Sequence, residues 1–258
     1  MIQAHHGNFD NREFHSTARY WFYPFRGQLH LMFEFEGYRV VYAYIRKNAC
    51  TSFKRYLLEK AGILDSKGKK DIYLLLNLYR ADFHRDFKSA NRTIFIHRDP
   101  IDRVVSLYRD KFVQGKNAVD IYCDYERVVG ENARKATFEA FALRYLPAAK
   151  DPHTWTQRSH LYPSVYSDAV PIEVLYEFMQ DILSSDVADL YFKRPVNASR
   201  GHAIEVPNAS SIGAHEIREN LEQTGTYPSR ESFVLTGGKI HLSLLEKYAE
   251  DQAFLRKE

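Results

Sequence analysis

Two stretches of this chain follow one plan, and together they restrict the fold more than any other feature. Residues 39–58 run from an apolar segment (Val40, Val41, Tyr42, Ala43, Tyr44, Ile45) through a short turn bearing Lys47 into an amphipathic segment. Residues 93–112 repeat the plan, from Thr93–His97 through Arg98-Asp99-Pro100 into a second amphipathic segment. A strand that delivers the start of a helix to one end of a sheet builds an anion site. Two such units in one chain point to a ligand with two separated phosphate-like groups.

The first unit has no clean alternation of apolar and polar residues, which suits a strand buried on both faces of a parallel sheet. Apart from the lysine, Lys47-Asn48-Ala49-Cys50 are small or short, so the backbone can approach an anion closely. Thr51 and Ser52 are expected to open the helix, with their hydroxyls and free backbone N–H groups turned to the ligand. The helix dipole adds about half a positive charge there, and Lys47 adds a full one. The glycines of a Walker A loop are absent.

In the second unit, Asp99 can cap a helix whose first turn holds Pro100. Arg98 leaves the strand end, and arginine suits a bidentate grip on phosphate. Ile101, Val104, Val105, Tyr108 and Phe112 mark a buried face at helical spacing. Ser106 lies two turns into that helix. Asp99, Asp102, Arg103 and Arg109 read as caps and exposed pairs.

The segment Lys47-Asn48-Ala49-Cys50-Thr51-Ser52-Phe53 resembles the 5′-phosphosulfate-binding loop of sulfotransferases, and Arg98 followed eight residues later by Ser106 resembles their 3′-phosphate-binding motif. The nearest flavour is that of the carbohydrate sulfotransferases, including the 2-O-sulfotransferases. Weaker echoes extend the resemblance over most of the chain. Thr137–Phe141 resembles the helix after the second motif. His153-Thr154-Trp155-Thr156-Gln157 resembles a degenerate His-Trp-x-Pro-Gln segment. Ile172–Phe178 resembles a later core strand, Asn197–Arg200 a polar loop near the nucleotide, and Tyr248–Asp251 the closing helix. Three positions depart from the pattern: Arg46 stands where proline is usual, Ala49 where glycine is common, and no histidine occupies Leu76–Leu78, where 2-O-sulfotransferases carry a catalytic one.

The resemblance implies a P-loop-NTPase-like three-layer α/β fold, with a mostly parallel central sheet flanked by helices. It implies 3′-phosphoadenosine 5′-phosphosulfate (PAPS) as donor co-substrate, with no metal, and in-line transfer of its sulfuryl group to an acceptor hydroxyl. Lys47, Asn48, Ala49, Cys50, Thr51 and Ser52 would hold the 5′-phosphosulfate, Lys47 also acting catalytically. Arg98 and Ser106, with Arg200 on position alone, would hold the rest of the nucleotide. His153 or His84 would take the hydroxyl proton. The acceptor class implied is a saccharide or glycolipid, and Trp21, Tyr23, Phe25 and Trp155 are candidates for stacking on sugar rings, with core packing as the plainer role. A nucleotide kinase or other phosphotransferase, and a homologue that binds donor without turning it over, are the competing readings.

Composition fits a single domain spanning residues 1–258, in which 1–38 has no assigned role. Apolar residues make up 45% of 258, with 18 Tyr and 17 Phe, enough for one sizeable core. A net charge of +3 is far below that of a dedicated nucleic-acid binder. Cys50 and Cys123 form no disulfide framework, and the 11 histidines show no metal-binding spacing. Residues 1–10 lack a charged-then-apolar leader, and no run nears the ~20 apolar residues of a membrane helix. Eukaryotic carbohydrate sulfotransferases are usually Golgi-anchored, so the expectation is a cytoplasmic, bacterial enzyme. Strands alternating with helices predict a mostly parallel sheet. Residues 131–146 read as one helix ended by Pro147, residues 71–79 as strand or helix, and 212–222 and 240–256 as helices.

Overall fold

A computed structural model describes residues 29–63, 72–163, 165–193 and 201–255. Its central sheet has four strands in the order β1-β2-β3-β4. These are β1 (His30–Phe35), β2 (Tyr38–Ala43), β3 (Arg92–His97) and β4 (Asp168–Pro171). β2, β3 and β4 are parallel, and β1 pairs antiparallel with β2. The hairpin between β1 and β2 turns on Glu36 (φ 50°) and Gly37 (φ 82°), the doubly left-handed turn that matches strand twist. β1 falls in the segment that the sequence left without a role.

Helices fill the connections: α1 (Cys50–Lys60), α2 (Ile72–Tyr79), α3 (Asp86–Ser89), α4 (Pro100–Tyr108), α5 (Val119–Val129) and α6 (Phe138–Ala140). After β4 come α7 (Leu175–Ile182), α8 (Ser185–Tyr191), β5 (His202–Ile204), α9 (Ala214–Thr224), β6 (Thr226–Pro228), α10 (Arg230–Phe233), α11 (Lys239–Lys247) and α12 (Ala249–Leu255). β5 and β6 form a second, two-stranded parallel sheet.

Residue alternation along the strands assigns the two faces of the main sheet. Val40, Tyr42, Ile94 and Ile96 face a core made with Phe53, Tyr56 and Leu57 of α1, Leu75 of α2 and Met179 of α7. Phe53 stacks on Tyr42 at 3.8 Å between ring centroids. Ala43, Ile45 and Phe95 face the other way, toward Leu161 and Phe254 of α12. A third core joins Tyr108 and Phe112 to Phe138, Phe141 and Tyr145 among the helices.

Three sequence expectations change. Residues 172–178 are not strand: β4 ends at Pro171 and a single 3₁₀ turn leads into α7. Pro171 has no N–H with which to extend a ladder, and Leu175, Met179 and Ile182 are buried at helical spacing. Residues 131–146 are not one helix. A 3₁₀ turn (Ala133–Lys135) ends at an extended Ala136. Thr137 then caps a new start through a 3.1 Å bond from Ala140 N, and a π turn (Phe141–Tyr145) follows α6. The C-terminal helix is two helices meeting at Tyr248. Residues 72–79 resolve to helix, and the expected face Ile101, Val104, Val105, Tyr108 and Phe112 is buried throughout.

Candidate active site

The loop after β2 bends sharply. Lys47 (φ 71°) and Ala49 (φ 55°) both adopt the left-handed conformation that suits glycine. Ala49 is the N-cap residue of α1, which starts at Cys50, one residue earlier than predicted, with no side chain capping it. In that first turn Thr51 is half-buried and Ser52 is buried. Asn48 is fully buried and acts as a pin: its Nδ2 donates to Ile96 O of β3 (2.8 Å) and to Gln157 Oε1 (2.5 Å).

The second unit is built as expected at its cap, where Asp99 accepts from the Ile101 and Asp102 N–H groups. Arg103 corrects the expectation of an exposed pair. It is 1% exposed, and its guanidinium donates to three carbonyls: Arg46 (3.0 Å), Trp155 (2.7 Å) and His153 (3.2 Å). Arg109 is also drawn inward, lying 4.3 Å over the Tyr227 ring and donating to Pro228 O. Arg98 Nε and Arg109 Nε are buried without a hydrogen-bond partner, so this corner holds cationic donors that the fold does not use. Ser106 is half-buried on the same helix. Arg230 of α10 pairs with Asp102 at 2.8 Å.

One glutamine joins the two units. Gln157 Oε1 accepts from both Asn48 Nδ2 and Arg98 N (3.0 Å), while its Nε2 donates to Arg98 O (2.9 Å). Gln157 is in turn held by fully buried Asp251 of α12, whose carboxylate accepts from Gln157 N and Arg158 N at 2.8 Å each. Tyr248 donates to Thr154 O (2.9 Å). The 153–157 segment is therefore clamped from α4 on one side and from the C-terminal helices on the other.

Charged side chains of both signs gather at the first loop. Lys47 Nζ lies 3.1 Å from Asp110 Oδ2. Lys111 Nζ lies 3.8 Å from the same oxygen and donates to Lys116 O and Asn117 O. His153 Nδ1 is 2.7 Å from Asp151 Oδ1. A carboxylate only accepts, so Nδ1 carries the proton and Nε2 keeps its lone pair. Burial pushes the His153 pKa down to about 4; Asp151 opposes this, while Arg46 and Lys111 reinforce it. The imidazole is thus neutral near pH 7, in the state a proton acceptor requires. Burial of Cys50 opposes its ionisation, but Lys54, a backbone bond involving Lys47, the Lys47 charge and Tyr44 outweigh burial and lower the thiol pKa.

The remaining candidates lie elsewhere. His84 is exposed, edge-on to Phe83 at 5.5 Å between ring centroids, in the loop before α3. Arg200, Trp21, Tyr23 and Phe25 lie outside the described residues. Trp155 is half-buried and donates to Lys150 O. Among the described residues no three His, Cys, Asp or Glu side chains gather as a metal site, and no helix is long and apolar enough to cross a membrane. Sequence reasoning gave no site role to Asp110, Lys111, Asp151 or Arg230, and named Asp251 only as the end of the Tyr248–Asp251 segment. Asp151 alone carried a local signal, two residues before His153; the others meet the site only through the fold.

No solved structure matches this chain. It is similar to carbohydrate sulfotransferase 14 of Homo sapiens, 30% identical over 158 residues that cover 56% of this chain and 40% of that protein. It is likewise similar to carbohydrate sulfotransferase 11 of Rattus norvegicus, 25% identical over 168 residues that cover 56% of this chain and 46% of that protein. The chain spans less than half the length of these relatives. Residues 31–166, more than half of the chain, match the Sulfotransferase family and contain both strand-turn-helix units and Gln157, so the chain belongs to that family, close to the carbohydrate sulfotransferases.

Proposed function

We propose that this protein transfers the sulfuryl group of PAPS to a carbohydrate hydroxyl, from a single domain with a P-loop-like three-layer fold. The observation that carries the reading is the Gln157 bridge, which fixes the Lys47 loop and Arg98 in one rigid frame, as a ligand with two separated anions requires. The residues suit that ligand. Lys47 and the uncapped start of α1 would hold the 5′ group and stabilise the leaving oxygen. Arg98 and Ser106, joined by Arg109 and Arg230, would hold the 3′-phosphate. The unpartnered Nε atoms of Arg98 and Arg109 supply donors there. His153, with Asp151 fixing its tautomer, is the favoured acceptor of the hydroxyl proton, because it lies within electrostatic reach of Arg46 and Lys111 beside the first loop; His84 is the other candidate. Positioning and charge stabilisation carry such a transfer, as in phosphoryl transfer.

Titration calorimetry with adenosine 3′,5′-bisphosphate, AMP and ATP tests the donor. Micromolar affinity for the bisphosphate, about −8 kcal/mol, with much weaker AMP and ATP binding, is expected. ATP binding as tight as the bisphosphate would favour the kinase reading. Sulfate transfer from labelled PAPS to a panel of desulfated polysaccharides then tests the acceptor class.

A further inference from the structure

The Lys47 ammonium faces a fixed anion before any ligand is considered. Asp110 Oδ2 lies 3.1 Å from it, with the two side chains only 12% and 18% exposed. Asp110 lies in a π turn, Arg109–Val113, that continues α4. The wider turn rotates everything after Tyr108 relative to a continued α-helix, and such turns recur at functional sites. It carries Asp110 toward the first loop while Arg98 and Ser106 remain earlier on the same unit. Lys111 does not need Asp110, since the carbonyls of Lys116 and Asn117 already hold its ammonium. Lys47 has the opposite standing. Its backbone is in the left-handed region, and Asp110 is the one ion-pair partner its ammonium has among the described residues.

We propose that Asp110 competes with the nucleotide's 5′ anion for the Lys47 ammonium and so limits how long product nucleotide stays bound. This rests on the sulfotransferase reading above. An ammonium shared with a carboxylate grips a 5′-phosphate less tightly than a free one, and product release limits turnover in many enzymes. Asp110 thus gives Lys47 a seat to return to when the nucleotide leaves.

The test is binding alone. Calorimetry and stopped-flow displacement would follow adenosine 3′,5′-bisphosphate and adenosine 3′-monophosphate on wild type, Asp110→Asn, Asp110→Glu, Lys47→Ala and the Lys47→Ala/Asp110→Asn double variant. Asp110→Asn is expected to bind the bisphosphate about tenfold more tightly, the size of one charge-assisted contact, through a slower off-rate. The 3′-monophosphate, having no 5′ anion, should be unaffected, Asp110→Glu should resemble wild type, and the tightening should vanish when Lys47 is alanine. Weaker binding of both nucleotides in Asp110→Asn would make Asp110 a structural residue and overturn the proposal. So would tightening that survives in the double variant. Failure of wild type to bind the bisphosphate at all would instead defeat the sulfotransferase reading.

Discussion

Asn48 and Gln157 stand 109 residues apart in the chain and meet at 2.5 Å through Nδ2 and Oε1. The same Gln157 oxygen accepts from the Arg98 backbone, so one amide sets the spacing between the two anion-binding units. Gln157→Glu keeps an acceptor for Asn48 but turns the Nε2 donor into an oxygen facing Arg98 O. The expected result is at least a tenfold loss of adenosine 3′,5′-bisphosphate affinity, read by calorimetry, with a smaller fall in melting temperature. Unchanged affinity would show that the two loops keep their spacing without the bridge.

Arg103 is a stability prediction. Arg103→Met retains most of the aliphatic volume but leaves the carbonyls of Arg46, His153 and Trp155 without their donor. An unpaired buried polar group costs about 1–3 kcal/mol, so the variant should lose about 3 kcal/mol or more in urea unfolding. A loss below about 1 kcal/mol would mean that water reaches these carbonyls.

His153 makes a pH prediction whose sign follows from linkage. Its native pKa of about 4 lies below the ordinary histidine value of 6.5, so between those values the unfolded chain binds more protons than the native one. Native stability should therefore fall as pH drops from about 6.5 to about 4 and flatten below that. His153→Gln should lose this part of the slope, measured as the difference between the two unfolding curves. If His153 is also the base, transfer in wild type should decline only as pH falls through about 4, and His153→Gln should lose activity at every pH.

The 3′-phosphate corner can be tested by subtraction. Arg98→Ala should bring the affinity for adenosine 3′,5′-bisphosphate down toward that for AMP, because a charged hydrogen-bond donor to phosphate contributes about 1.5–3 kcal/mol. Arg230→Ala should do so less, since Asp102 already draws on its charge. Equal bisphosphate and AMP affinities in wild type would remove the 3′ site from this corner.

Local pattern made the two strand-turn-helix units readable. Val40–Ala43 and Thr93–His97 are apolar runs that end where a helix start is chemically marked, and the Asp99–Pro100 cap is visible in two letters. The buried face from Ile101 to Phe112 is likewise a matter of spacing. What escaped was set by tertiary contact. Arg103 looks like any exposed helix arginine until Arg46, His153 and Trp155 surround it. Asp251 acts on the site from a helix 94 residues beyond Gln157. Residues 172–178 misled because their apolar content suits either strand or helix, and Pro171 decided the matter. Residues 131–146 misled because Thr137 and an extended Ala136 interrupt a pattern that is helical in composition.

The clamp on Gln157 also says when the site can come into being. The sheet can assemble from β1, β2 and β3, which lie within residues 30–97, but the bridge between the two loops is steadied only when Asp251 arrives. Contacts spanning 94 and 109 residues reach further along the chain than the 52 residues across which β2 pairs with β3, and such contacts are the slow ones to close. A chain halted before α12 would lack the Asp251 clamp on Gln157, so nucleotide affinity would gauge how late in folding the site is completed.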